Sequence, residues 1–338
     1  MKTTSSEESC RIRGLPRAGP SLRLLAVTVL SLTSFVGCGP IEPSESQGLR
    51  QQSQEKRSEN GLAYNGLAYN GLAYNGLAYN GLAYNGLAYN GLTTADFAAW
   101  FRQDQNMADH VMTYVVRCAM SAHQLLEYVD PTTNQLYTWT GSLGLAPGWA
   151  NGQPASTREQ QLITACLASH VNKHNQHVPF SVQGRDAETH EIPTGPTELA
   201  EYSQREACFF GNLFTGEGIY VGSDRGDFNP LESTSRACSL WSGPGGSQSS
   251  CPPMIHVGSC SQACTPEPGG GFYRECTRDG VSYMPLTTRL RPVDIFTCGD
   301  GVCQISESCG TGHQYNNCAV DCGYCASPDL GPGRGPGR

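Results

Sequence analysis

The distribution of cysteine constrains this chain more than any other feature. The sequence has 16 cysteines in 338 residues, and all but Cys10 and Cys38 lie beyond residue 117. The remaining 14 are an even number, which in an oxidising compartment predicts disulfides rather than metal ligands. They fall into blocks of four, four and six, so closure within each block is allowed, but the pairing stays open: Cys118, Cys166, Cys208, Cys238; Cys251, Cys260, Cys264, Cys276; Cys298, Cys303, Cys309, Cys318, Cys322, Cys325.

The N-terminus has the layout of a secretory signal. Basic residues precede an apolar run over 24–36, which is too short to span a bilayer. The sequence F-V-G-C that ends at Cys38 resembles a bacterial lipobox, although Phe stands where Leu is usual. The resemblance implies that residues 1–37 are a lipoprotein signal peptide and that Cys38 carries lipid. Because Gly39 is not the Asp of inner-membrane retention, it also implies the outer membrane or cell surface; secretion without lipid is the alternative.

A perfect repeat follows. N-G-L-A-Y occurs six times without substitution over 60–89, and a truncated N-G-L follows at 90–92. Asn-Gly at every fifth residue favours turns, so we expect 38–93 to be a disordered tether with a coil span on the order of 40–45 Å. A pentapeptide β-helix is disfavoured, because six units leave most apolar faces uncovered. The other alternative is self-association through the repeat tyrosines Tyr64, Tyr69, Tyr74, Tyr79, Tyr84 and Tyr89.

The segment 94–297 carries helix and strand signals together. Apolar stripes predict helices over 94–102 and 106–120, the capping box S-T-R-E opens another at residue 157, and Thr197 is expected to cap one ending near Cys208. Strands are expected over 135–139, 178–182, 218–221 and 254–257, and a hairpin over 272–290 turning at Asp279-Gly280. The predicted fold is a disulfide-stabilised α+β domain.

The last cysteine block predicts a separate small module over 298–325, because six cysteines so close together staple a chain that cannot enclose a core. Its C-G-D-G-V-C start and D-C-G-Y-C end resemble a cysteine-rich module of secreted proteins. Similar acidic modules, such as Lin-12/Notch repeats, hold calcium, which makes Asp300, Glu307 and Asp321 candidate Ca²⁺ ligands. The alternative is that these acids cap turns. Residues 326–338 are expected to be a disordered tail.

Two groups of residues are candidates for a metal site or a binding surface. Cys166, His170 and His174 are spaced four apart, so on a helix they would share one face, and His170 and His174 are candidate Zn²⁺ ligands. Val171 stands where a metallopeptidase H-E-x-x-H has its general base, and no catalytic residue is assigned. A carbohydrate-binding face is the second idea, with core packing as its alternative, and its aromatics are Trp139, Trp149, Phe209, Phe210, Phe214, Tyr220 and Trp241.

Charge narrows the functional classes. The formal net charge is −8, which argues against nucleic-acid binding. The whole chain loosely resembles bacterial surface lipoproteins of unassigned function, through Y-V-V-R-C-A at Tyr114, L-G-L-A-P-G-W at Leu143 and A-C-F-F-G-N-L-F at Ala207. We therefore expect a lipid-anchored cell-surface interaction protein that binds a surface protein or polysaccharide. The alternatives are a secreted hydrolase with a metal or thiol site, and a structural envelope component assembled through the tyrosine-rich repeat.

Overall fold

The computed structural model describes residues 57–60, 62–63, 87, 89–172, 174, 176–236, 238 and 251–325. These residues form a mixed α+β fold crossed by disulfides, as the sequence predicted. The proposed signal peptide, the lipidation site Cys38 and the tail 326–338 lie outside the described residues.

The helices begin where the sequence places caps. The Thr94 hydroxyl accepts from the Phe97 amide at 3.2 Å, and the predicted capping box at residue 156 is present. The helices are α1 (Tyr89–Leu92), α2 (Ala95–Gln103), α3 (Gln105–Ala119), α4 (Pro147–Ala150), α5 (Thr157–Ser169), α6 (Glu198–Glu201), α7 (Cys260–Ala263) and α8 (Ala319–Cys322).

The strands are β1 (Arg57–Asn60), β2 (Leu62–Ala63), β3 (Leu125–Val129), β4 (Leu136–Thr140), β5 (Val171–Asn172), β6 (Val178–Gly184), β7 (Gln204–Asn212), β8 (Gly218–Ser223), β9 (Glu232–Ser233), β10 (Met254–Ser259), β11 (Cys264–Pro266), β12 (Tyr273–Arg278), β13 (Val281–Tyr283), β14 (Leu286–Leu290), β15 (Phe296–Thr297), β16 (His313–Gln314) and β17 (Asn317–Cys318).

A six-stranded sheet with the order β1-β6-β14-β7-β8-β10 forms the centre of the fold. Its pairs are antiparallel except β8 with β10. The predicted hairpin turn at Asp279-Gly280 joins β12 to β13, and both turn residues have positive φ, as a two-residue hairpin loop requires. The chain then leaves that hairpin, because β14 pairs with β6 and β7 instead.

The helix expected from Thr197 to near Cys208 is wrong. Helix α6 ends at Glu201, and Cys208 lies in β7, which is buried on both faces. The acidic first turn has a tertiary role instead, since the buried Glu198 carboxylate accepts from the Ser181 hydroxyl at 2.7 Å and the Gly195 amide at 3.0 Å.

Seven disulfides use all 14 cysteines of the three blocks: Cys118–Cys166, Cys208–Cys260, Cys238–Cys251, Cys264–Cys276, Cys298–Cys318, Cys303–Cys322 and Cys309–Cys325. Only the third block closes on itself. Two bonds join the first block to the second, because β10 pairs with β8 and so brings Cys260 beside Cys208. The first two blocks therefore do not close on themselves, although their even counts allowed it.

Parts of the segment 38–93, which the sequence predicts to be a tether, contact the domain in the described structure. Strand β1 pairs with β6, and β2, which is the Leu62–Ala63 step of the first repeat unit, pairs with β5. At the other end of the array Leu87 and Leu92 are buried in the core. The repeat is thus held by the fold at both ends, and the folded domain begins before residue 94.

The cysteine-rich segment 298–325 is hydrogen-bonded to the preceding domain. The Cys298 amide donates to the Leu231 carbonyl and the Tyr315 amide to the Pro230 carbonyl, each at 3.0 Å. Strand β15 also pairs with β9 just before the segment begins.

Loop length predicts how much individual disulfides contribute. Replacing Cys118 and Cys166 together by alanine opens a bond between residues 48 apart, whereas Cys264 and Cys276 are 12 apart. The chain-entropy account predicts losses of about 4 and about 3 kcal/mol, measured by urea unfolding of the oxidised variants. An equal or larger loss from the shorter loop would show that loop entropy does not set the ranking.

Candidate functional site

The β3–β4 hairpin is anchored by aromatic packing on its inner face. Tyr128, Tyr137 and Trp139 are buried there. Phe101 of α2 lies with its ring centroid 5.0 Å from that of Tyr128 and 4.8 Å from that of Tyr137, in edge contacts. The Trp139 indole N–H donates to the Asp109 carboxylate of α3 at 2.7 Å, which satisfies the buried polar atom. The inner face of the hairpin is therefore fixed to α2 and α3.

A carboxylate fixes the loop end of the hairpin. Asp130 accepts from the Gln105 side-chain amide at 2.6 Å and from the Thr132 amide at 2.8 Å. The Thr132 amide, the Thr133 amide and hydroxyl, and the Arg102 charge hold the pKa of Asp130 below its ordinary value. The loop therefore keeps a fixed carboxylate at neutral pH.

The other end of the hairpin is fixed to the C-terminus of α3. The amides of Leu143 and Leu145 donate to the carbonyls of Arg117 and Cys118 at 2.8 and 2.9 Å. These are orphan carbonyls of the helix end, which the returning chain satisfies. Gly141 permits the close approach, since a Cβ there would lie 2.3 Å from the Ser121 carbonyl oxygen.

The outer face of the hairpin is unusually apolar for a surface strand pair. Leu125, Val129 and Leu136 point outward and are 58%, 49% and 56% exposed. Val129 and Leu136 are directly opposite each other in the strand register, so they form a continuous patch. Exposed groups of large apolar residues mark interaction surfaces more often than isolated ones do.

The same residues leave a free backbone edge. The Asp130 amide donates to the Gln135 carbonyl at 2.9 Å and the Gly141 amide to the Gln124 carbonyl at 2.8 Å. Because hydrogen-bonded pairs alternate along an antiparallel ladder, the backbone groups of Leu125, Glu127 and Val129 point away from β4. They make no backbone hydrogen bond to any other described segment.

A groove of about 480 Å³ follows this edge. One wall is formed by consecutive residues of β3, Glu127 to Val129, and the opposite wall by Leu92 and Ala98 at the start of the helical region. Glu127 is the one charged side chain among the described lining residues. Tyr128 is among the lining residues, and its buried hydroxyl has no hydrogen-bond partner among described residues. Burial, and secondarily the charge of Asp130, raises the pKa of Tyr128, so the hydroxyl keeps its proton.

Sequence reasoning found one strand of this site and missed the other. The expected strand at 135–139 is β4, observed as Leu136–Thr140, which confirms it within one residue. Strand β3, L-L-E-Y-V, gave little period-2 signal because apolar side chains lie on both of its faces. Apolar residues on both faces of a strand were the sequence signal that could have predicted an exposed apolar surface here.

The predicted histidine pair does not form one site. Helix α5 ends at Ser169 with His170 as its C-cap, so His174 does not share a helical face with Cys166. His170 is fully buried, and its Nδ1 lies 2.8 Å from the Cys166 carbonyl oxygen. The zinc ligand set expected from His170 and His174 is therefore not assembled.

The ligand cluster that does contain His170 has no free thiolate. Within the described chain, ligand atoms of Cys118, Cys166 and His170 lie within 4.8 Å of one another, but both sulfurs belong to one disulfide. Burial, together with the charges of Arg117 and Arg236, lowers the pKa of His170 to about 3, against the hydrogen bond to Cys166. The imidazole is thus neutral and structural at physiological pH.

The three acidic candidates for calcium act as turn caps. The Asp321 carboxylate accepts from the amides of Gly299 and Gly301 at 2.5 and 3.0 Å, and Asp300 and Glu307 also accept main-chain amides of the module. In the described residues the three do not form a cluster with ligand atoms within 4.8 Å of one another. The geometry matches the turn-capping alternative and does not support the calcium expectation.

The aromatic residues considered for a carbohydrate face belong to the core. Trp139, Trp149, Phe209, Phe210 and Tyr220 are buried, and Phe214 is partly buried against Trp149. Trp241 lies outside the described residues. No stacking surface for sugars is formed by the six that are described, so this expectation is wrong.

Comparisons with protein-family models, with curated proteins and with solved structures found no match. Among the described residues no helix has the length and hydropathy needed to cross a membrane. Disulfides persist in oxidising compartments, so the seven bonds indicate an extracellular or secreted protein.

The buried imidazole predicts a pH dependence of stability. Because the pKa of His170 is about 3 in the folded chain and near 6.5 when unfolded, the unfolded chain gains a proton first as pH falls. Stability present above about pH 6.5 is therefore lost toward pH 3, by about 1.4 kcal/mol per pH unit. His170→Phe keeps a ring against Tyr114 and Phe180 and removes the titration. Urea unfolding at about pH 7 and pH 4.5 should show a loss smaller by about 2–3 kcal/mol in the variant; equal losses would contradict the assignment.

Proposed function

We propose that this is a lipid-anchored cell-surface interaction protein that binds an extended polypeptide segment along the outer edge of β3. The apolar edge of β3 beside the groove, which pairs with no other described segment, is the observation that carries the proposal. An extended segment placed there would pair with the backbone groups of Leu125, Glu127 and Val129. Its side chains would cover the exposed apolar surface at the same time.

Strand β3 lacks the protection that two other sheet edges have. Proteins normally blunt such edges with bulges, proline, lysine or very short strands. Strand β10 has a register shift between His256 and Ser259, and β11 is three residues long and ends in Pro266. Strand β3 has none of these devices, and its one charged residue is Glu127. An unprotected edge in a rigid, exported protein supports a binding role.

The chemistry of the groove favours an uncharged, partly apolar segment. Leu92, Ala98, Val129 and Leu136 supply apolar walls, and the outward backbone groups of β3 supply hydrogen-bonding groups. Glu127 is the one charged residue in the described lining. A cationic side chain in the groove could pair with it, whereas an anionic side chain would have no opposite charge beside it. A groove of about 480 Å³ is within the range of peptide and ligand sites.

The membrane attachment in this proposal is the lipid on Cys38. With β1 beginning at Arg57, residues 39–56 separate the lipid from the first described strand. The domain would therefore stand close to the outer membrane surface, where neighbouring anchored proteins are concentrated.

The hydrolase alternative has less support from the described residues. Every cysteine of the three blocks is in a disulfide, which removes a thiol nucleophile, and the histidine pair is not assembled. A structural role through the repeat is compatible with binding at β3 and is developed below.

Peptide binding tests the proposal directly. Protein beginning at residue 39 is prepared in an oxidising compartment and titrated with a panel of ten-residue uncharged aliphatic–aromatic peptides, by fluorescence anisotropy. We expect binding, and Val129→Lys should weaken it about tenfold or more, because the ammonium must be desolvated at the apolar edge. Peptides with alternate aspartates should not bind.

The matched control is Ile305→Lys, which makes the same kind of change at a remote residue of equal exposure, 51% against 49%. It should leave peptide affinity unchanged. Failure of every peptide to bind either this protein or a variant in which a Gly/Ser linker replaces residues 65–84, or equal loss in the two lysine variants, would refute binding at the β3 edge.

A further inference from the structure

We infer that the segment bound by the β3 edge is an N-G-L-A-Y unit from a second copy of this chain. The inference rests on the proposed function and names its partner. It assigns the repeat a role as a set of strands that link one molecule to the next.

The repeat already adds to this fold as a strand. Leu62–Ala63, from the first unit, forms β2 and pairs with Val171–Asn172 in a parallel ladder. From the sixth unit, the Leu87 amide donates to the Trp149 carbonyl at 2.9 Å, and the Leu87 side chain is fully buried. Two units of the same sequence thus supply backbone pairing and a buried leucine to the domain.

The groove is built partly from the repeat itself. Leu92, the leucine of the truncated last unit, lines it together with Ala98 and Val129. The surface beside β3 therefore already packs against a leucine presented by this sequence. A further unit lying along β3 would place another leucine next to it.

The composition of one unit suits this site. In an extended unit, alternate residues share a side, so Asn, Leu and Tyr lie on one face and Gly and Ala on the other. The large face can fill the groove, where Leu92, Ala98 and Val129 supply apolar contacts. A unit has five residues, as β3 has, and carries no charge.

The odd period limits each contact to a single unit. Continuing one strand into the next unit would turn its leucine to the opposite face. Asn-Gly between units instead favours a turn. Each unit is therefore a separate ligand, and the array is multivalent.

The number of units favours a second copy over the same chain. Four complete units, residues 65–84, lie between the first unit and the sixth, which contact their own domain. Each chain has one β3 edge, so at most one of the four units can occupy the edge of its own chain. Because repeat and edge are different surfaces, the contact is heterologous and can propagate between anchored copies.

Two complementary variants of the protein beginning at residue 39 test the inference. In one, residues 65–84 are replaced by a Gly/Ser linker of equal length, which keeps the edge and removes the units. In the other, Val129→Lys blocks the edge and keeps the units. Sedimentation velocity over about 5–200 µM should show concentration-dependent association of the parent chain and of Ile305→Lys, and should show monomers for each complementary variant alone. Mixing the two should restore association.

The remaining outcomes separate the two proposals. Association of the linker variant alone, or a mixture that stays monomeric, overturns the inference. A monomeric parent chain also overturns the inference. If the peptide (N-G-L-A-Y)₃ then binds the linker variant and not the parent chain, the β3 edge is occupied by the repeat of the same chain. If this peptide binds neither while other uncharged peptides bind at β3, the inference fails and the proposed function stands. If no peptide binds at all, both fail.

Discussion

The C-terminal turn of α3 is the point on which the rest of the structure depends. Cys118 in that turn is bonded to Cys166 of α5, which packs on the six-stranded sheet. The carbonyls of Arg117 and Cys118 accept the amides of the chain that returns from the β3–β4 hairpin. One covalent bond and a set of capped helix carbonyls therefore join the sheet, the helices and the hairpin. This junction and the aromatic layer beneath the hairpin fix the position of the hairpin. The unprotected edge of β3 therefore stays on the surface.

Rigidity matters for an edge that binds by backbone pairing. A strand already held in register gives up little conformational entropy when another strand is added, so more of the interaction energy appears as affinity. The Asp130 carboxylate and the Trp139–Asp109 hydrogen bond serve this purpose at the loop and on the inner face. The exposed leucine and valine side chains then supply the apolar area that backbone hydrogen bonds alone do not. An exported protein can carry such an edge where its partner is kept close by a shared membrane surface.

Local signals in the sequence predicted what local energetics decide. The capping box at Ser156 and Glu159 and the turn at Asp279-Gly280 are satisfied within a few residues, so their structures follow from the sequence alone. Tertiary contacts decided the rest. The apolar run around Cys208 fits a buried strand as well as a helix. Backbone pairing with β8 and β14 makes it a strand. His174 lost its helical neighbours because α5 ends one residue before His170.

The repeat is a second case in which tertiary contacts, and not the local sequence, decide the structure. Its units are identical, so no sequence argument could single out Leu87 as a leucine buried beside Trp149. The free edge of β3 was likewise invisible, because whether a strand has a neighbour is a property of the sheet. What the sequence did carry was the pairing capacity of the cysteines and the α+β class, both of which depend on composition and periodicity rather than on contacts.

Hydrogen exchange at single amides measures the central claim most directly. In dilute protein, the amides of Leu126 and Tyr128 should exchange slowly, because they are bonded within the hairpin, and those of Leu125, Glu127 and Val129 should exchange quickly. When the protein is concentrated or an N-G-L-A-Y peptide is added, the three outward amides should slow by about tenfold or more, as new backbone pairs form. Outward amides that exchange at the same rate under all conditions would contradict binding at this edge.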